Sequence, residues 1–263
     1  MSAVCTPGHE NCHGASIDGS IVTKEDVDTL KNDWLTDNII SFWEEYVSPA
    51  TAMVNSLQSR DVLKPYRYLE REELIKFPSS HIVLLRPSMC FMLKETGDPL
   101  TLKDALPNFA KTSHIFLPIN DNHNVEVAEG GSHWSLLVVS VIDGVAFHYD
   151  SLSSANREEA FRVTQKMERL LGKKLRFIDL RDSPQQENSS DCGVFVCVAM
   201  QHLLLDRLMC ASETDKVSMG MGDISVNAAA GRRKILKLVE QFRKEGERRR
   251  SSKDDGKSPP RID

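Results

Sequence analysis

The run Asp191-Cys192-Gly193-Val194-Phe195-Val196-Cys197-Val198-Ala199-Met200 constrains this chain more than any other. Seven consecutive apolar residues follow Gly193, and the apolar pattern continues to about residue 208. A helix that is apolar on nearly all sides is buried, so the rest of the chain must pack around it. A cysteine in its first turn then lies beside unpaired backbone N–H groups and the positive end of the helix dipole. Both favour a thiolate over a thiol.

The flanking sequence supplies the packing layers. Thr36 or Asp37 caps a helix whose apolar positions Ile39, Ile40, Phe42, Trp43, Tyr46 and Val47 follow helical spacing, ended by Pro49. Further short helices are predicted at 68–76, 87–96 and 101–106, with Pro87 in the first turn of the second. The period then changes. Residues 114–119 read as a strand, 120–132 as a polar loop, and 133–141 and 145–151 as two strands joined at Asp143-Gly144. An amphipathic helix over 155–172, a strand at 175–180 and a loop at 181–190 lead into the buried helix. Residues 209–230 read as a loop, and 232–244 as a basic helix whose apolar face (Ile235, Leu236, Leu238, Val239, Phe242) docks on the domain. The expected organisation is a tail at 1–20, one α+β domain at 21–245, and a basic tail at 246–263, both tails disordered by composition.

Among 263 residues, 40% are hydrophobic, enough to build a core, and no apolar run approaches the ~18 residues a membrane span needs. The net charge of −5 hides an asymmetry: from Gly231 onward there are 12 Lys+Arg against 6 Asp+Glu, leaving 21 against 32 in the body. An acidic body disfavours nucleic acid as the main ligand and is compatible with a basic partner. Six irregularly spaced cysteines do not form a disulfide scaffold, and with no secretory signal they point to cytosol or nucleus. Cys5, His9, Cys12 and His13 are four potential zinc ligands, but their cramped spacing and the lack of a framework argue against a metal. The run Arg248-Arg249-Arg250 reads as solvated charge.

Three segments carry chemistry: Gly131-Ser132-His133-Trp134, His148-Tyr149-Asp150-Ser151, and the loop from Gln185 and Gln186 to Cys192 and Gly193. A thiolate nucleophile needs a base, and His133 with Asp150 as its orienter would serve. Gly193 leaves room for a substrate backbone, and the Cys192 N–H with the Gln186 amide would hold an oxyanion. Strand geometry makes a demand here. Under a tight Asp143-Gly144 turn, Asp150 faces Leu137, on the same side as His133 but about 13 Å along the strand from it. A bulge or a wider turn must close that gap. Cys197 and Cys210 read as inert core thiols.

Taken together, these segments resemble the ubiquitin-like-protein-specific (sentrin-specific) cysteine protease family: His-Trp, an Asp seventeen residues on, and a Gln six before the Cys of Asp-Cys-Gly. The similarity runs from about residue 17 to 208. The stretches 34–40, 116–121, 130–137 and 147–151 are most similar to its deneddylating, or member-eight, branch. The resemblance implies a papain-like α+β fold with a permuted His-Asp-Cys order, no cofactor, and substrates that are ubiquitin-like modifiers ending in Gly-Gly. It implies Cys192 as nucleophile, His133 as base, Asp150 as orienter and Gln186 as oxyanion donor. Trp34 and Trp134 would cover the Gly-Gly tail and Asp37 would hold it. A monomer is expected. A desumoylating protease of the same fold and an inactive modifier-binding module remain as alternatives.

Overall fold

The computed structural model describes residues 15–17, 20–47, 81–126, 130–211 and 215–254. The helix predicted at 68–76 and the Cys5–His13 cluster lie outside these residues. At the centre is a five-stranded sheet, ordered β3 (Ile82–Leu84), β4 (His114–Asn120), β5 (Trp134–Ser140), β6 (Val145–Tyr149) and β7 (Arg176–Asp179). The two outer pairs are parallel and the inner two antiparallel. A separate hairpin, β1 (Ala15–Ile17) with β2 (Ser20–Val22), stands where composition suggested a disordered tail.

Both faces of the sheet are covered, which is why β4 and β5 read as almost continuous apolar runs. Phe116, Leu136, Val138 and Tyr149 point to one core. Helix α5 (Cys192–Gln201) packs there on β5, flanked by α2 (Asp37–Val47) and α6 (Ala228–Asp254). The Trp43 indole N–H donates to the Cys197 carbonyl at 2.7 Å, tying α2 to α5. Ile115, Leu117, Leu137, Val139 and Ala146 point to the other core, closed by α3 (Pro87–Glu95) and α4 (Arg157–Leu171). Gly172 ends α4 with φ +61°, the left-handed cap its position predicts.

Besides that hairpin and strand β3, four helical elements depart from expectation. Helix α1 (Lys24–Thr29) was not anticipated, although Thr23 and Asp26 form a capping box. The helix expected at 101–106 is a short 3-10 turn, Pro99–Leu102, with Asp98 as its cap. Helix α5 does not run unbroken to 208: from His202 to Leu208 the chain widens into a π-helix, with Met209 N–H bonded to Leu204 O at 2.9 Å. The widened turn places Arg207 against the Ser218 carbonyl and Asp223, anchoring the segment that follows. Lastly, α6 starts at Ala228 and continues to Asp254, past Gly246, through a stretch of Glu, Arg and Lys that favours helix. Among the described residues, no helix is long and apolar enough to cross a membrane.

Candidate active site

His133 immediately precedes β5 and Asp150 immediately follows β6. The register, from Ser140 opposite Val145 to Leu136 opposite Tyr149, leaves four residues in the turn instead of two. This wider turn brings Asp150 two positions nearer to His133, halving the gap that a tight turn would leave, and the two side chains span the rest. His133 Nε2 lies 2.7 Å from Asp150 Oδ1, with both side chains buried. With Nε2 committed to the carboxylate, Nδ1 is the ring nitrogen left for the Cys192 thiol, which lies near enough to act on the charge of the imidazole.

Burial disfavours charge on His133. The hydrogen bonds and negative charges of Asp150 and Cys192 outweigh it, raising the imidazole from its ordinary 6.5 to about 9. Burial likewise disfavours the Asp150 carboxylate. The His133 bond and charge, with N–H groups from Asn156 and Leu152 at 2.8 Å each, outweigh that and leave Asp150 below the usual value. The histidine backbone is fixed as well. Its N–H donates to Asp121 Oδ1 at 3.0 Å, and its carbonyl accepts from Asn156 Nδ2 at 3.2 Å. Behind Asp150, His148 pairs with Asp179 at 2.8 Å, and burial pushes its ring toward the neutral form.

Sequence reasoning missed Asn156 and gave Asp121 no separate role. Asn156 carried a signal, a polar residue at a helix start, but its side chain makes no cap. It spends its amide on the carbonyls of Ile119 and His133 instead.

Cys192 is the first residue of α5 and is 1% exposed. The loop before it is docked on the Asp150 segment. Gln185 Nε2 donates to Asp150 O at 2.9 Å, and the Gln186 N–H donates to Ser151 O at 2.9 Å. Gln186 Oε1 accepts from Ser151 Oγ at 2.7 Å, and one hydrogen of its amide nitrogen is taken by Asn188 O at 2.6 Å, leaving the other for a ligand. The two indoles differ. Trp134 is a core residue with its N–H on Leu35 O at 3.2 Å, whereas Trp34 is 43% exposed. The Trp34 N–H reaches Ser189 O at 2.7 Å, joining the two walls of the site. Asp37 opens α2 a few residues from Trp34.

Gly193 has a packing role as well: a Cβ built there would lie 2.9 Å from Leu35 Cβ, so glycine is needed for close packing of the Trp34 loop on α5. Gly193→Ala should therefore destabilise the fold by about 1 kcal/mol net, overpacking outweighing the gain in helix propensity. Urea unfolding checks this, and an unchanged midpoint would refute the packing argument. Cys210 is exposed rather than a core thiol, while Cys197 is fully buried and burial holds its thiol well above the ordinary range.

A cysteine at the head of a buried helix, near an imidazole that is bonded to a carboxylate, is the constellation of a thiol hydrolase. The chain belongs to the Ulp1 protease family: residues 33–219 match its C-terminal catalytic domain. Among curated proteins it is similar to NEDD8-specific protease 2 of Schizosaccharomyces pombe, 37% identical over 178 residues, 66% of this chain and 42% of that protein. Sentrin-specific protease 8 of Homo sapiens is 34% identical over 183 residues, 67% of this chain and 74% of that protein. The match thus spans less than half of the fission-yeast relative. Among solved structures, the C-terminal Ulp1 protease domain in complex with Smt3, the yeast ortholog of SUMO, superposes with a TM-score of 0.57 at 22% identity, covering 90% of each chain. The fold is the α+β Ulp1 protease fold.

Proposed function

We propose that the protein is a cysteine protease that cleaves after the C-terminal Gly-Gly of a ubiquitin-like modifier, with NEDD8 its preferred substrate. The observation that carries this reading is the buried His133–Asp150 pair, 2.7 Å apart, near Cys192 at the head of α5. Cys192 attacks the carbonyl of the last glycine as a thiolate, and His133 carries the proton. The oxyanion is held by the Cys192 N–H, at a helix start where N–H groups lack helical partners, and by the second amide hydrogen of Gln186. His133 then protonates the departing amine, either a lysine side chain or the rest of a precursor. It next takes a proton from water as that water cleaves the thioester. Asp150 keeps the imidazole oriented throughout.

Trp34 and Trp134 flank the tail, and only glycine passes such a slot. Asp37 holds a basic residue ahead of Gly-Gly. The choice of NEDD8 rests on relatives named as NEDD8-specific proteases. An inactive binding module would have no use for the His133–Asp150 pair. We further assign the protein, as a monomer, to cytosol or nucleus, in keeping with four free cysteines among the described residues.

The test uses a thiol-reactive probe ending in Gly-Gly, then precursors of NEDD8, ubiquitin and a SUMO-type modifier. Labelling at Cys192 and fastest processing of NEDD8 are expected. No labelling removes the protease assignment, whereas equal processing of the SUMO-type precursor removes only the preference.

A further inference from the structure

Resting on the function proposed above, we propose that Arg232, on the C-terminal helix α6, is a positioning residue for Cys192. It lies beyond residue 219, where the match to the family domain ends. Arg232 is 5% exposed, and a buried guanidinium must find partners for its donors. It finds them on both walls of the site. Nε donates to Asp191 Oδ1 at 2.8 Å, and Nη2 lies 2.7 Å from the same oxygen. Nη2 also donates to the Ser190 carbonyl at 2.9 Å, and Nη1 to the Thr29 carbonyl at 2.8 Å.

These partners are not scattered. Asp191 and Ser190 are the two residues before Cys192. Thr29 closes α1, and the chain leaving it carries Trp34 and Leu35, the first bonded to Ser189 and the second packed on Gly193. One planar fork therefore sets the separation between the indole loop and the loop that delivers the thiol. A lysine, with a single point of charge, cannot span three acceptors in that geometry. The pair also has an electrostatic effect. The Asp191 carboxylate stands one residue from Cys192, where an uncompensated negative charge would repel a thiolate. Arg232 offsets that charge at 2.7 Å. The other carboxylate oxygen of Asp191 is held by Asn188 Nδ2 at 2.8 Å, so the acid is fixed on both sides.

The experiment compares Arg232→Met, Arg232→Lys and Lys234→Ala in the full chain. It reads the thermal midpoint, the rate at which iodoacetamide labels Cys192 by peptide mass spectrometry, and kcat and KM on a NEDD8 precursor. Arg232→Met is expected to slow labelling and kcat on the order of 10-fold or more, with KM moving less than about threefold. Arg232→Lys falls between that variant and the parent. Lys234 holds the same helix to α5 through Gln201 Oε1 at 2.9 Å, away from the loop. Lys234→Ala should lower the thermal midpoint and leave labelling and kcat unchanged.

The proposal is overturned if Arg232→Met keeps both rates within about twofold, or if Lys234→Ala slows them as much. Should Arg232→Met fail to fold, Arg232→Lys, which keeps the charge but not the fork, decides by the same criterion. A parent protein that labels at Cys192 but cleaves no Gly-Gly substrate sinks the proposed function alone. The labelling rates still judge Arg232.

Discussion

Cys192→Ala should abolish cleavage, by on the order of 10⁴-fold or more, and still bind the modifier. The substitution removes the only atom that forms a bond to the substrate. It leaves in place the indoles and the outer surface to which the proposed function assigns the affinity. A binding titration against NEDD8 should therefore give nearly the parent dissociation constant, while a gel assay of the precursor shows no product. The control is Cys197→Ala, five residues along α5. Its thiol is fully buried and held neutral, so the variant loses some stability but keeps its kcat. Turnover by purified Cys192→Ala would end the assignment of the nucleophile.

Asp150→Asn should be the second most damaging change, lowering kcat by on the order of 10²–10⁴-fold. The usual argument for tolerance is that an amide oxygen can still accept from the imidazole. Here the surroundings deny that exchange. Asp150 Oδ1 accepts from His133 and from the Leu152 N–H, while Oδ2 accepts from the Asn156 N–H. An asparagine must turn its NH₂ toward one of these donors, so either His133 or Asn156 loses its acceptor and a buried group is left facing a donor. The pH profile supplies a separate readout. In the parent, the protonated imidazole persists up to about 9, so kcat/KM falls on the alkaline side as pH rises through that value. Without the carboxylate, this limb should move down toward the ordinary 6.5 of histidine. Stability follows the same sign: because the folded value is raised, the contribution is complete below 6.5 and is lost as pH rises through about 9. An unmoved alkaline limb in Asp150→Asn would show that the limb belongs to another group.

Much of this site was legible in the chain because its residues lie next to strong local signals. Cys192 stands at the start of an apolar run that can only be a buried helix. His133 and Asp150 bracket two strands whose alternation sets their facing. Their meeting was not legible, because it depends on turn length. Asp143-Gly144 signals a tight hairpin, and nothing local reveals that Val141 and Ile142 join the turn. Helix α1 could have been read from Thr23 and Asp26, whose capping-box spacing is explicit. The π-helix at His202–Leu208 could not, since the apolar pattern through Leu203 and Leu204 suits an ordinary helix equally well. Arg232 was hidden for a different reason. In a run of basic residues, burial is the least expected fate of any one of them, and only the tertiary fold selects which charge turns inward.

The site is assembled across layers: the nucleophile rides on α5, and its base and orienter ride on the sheet. Two things hold these bodies at their working separation: the hydrogen bonds of the Gln185–Gln186 loop to Asp150 and Ser151, and the apolar contact in which Leu136 meets Val196 and Ala199. Turnover is thus a sensitive gauge of interlayer spacing. A perturbant that loosens this contact while sparing helices and strands would silence the enzyme well before circular dichroism registered any loss. Activity and fold would then report different melting curves.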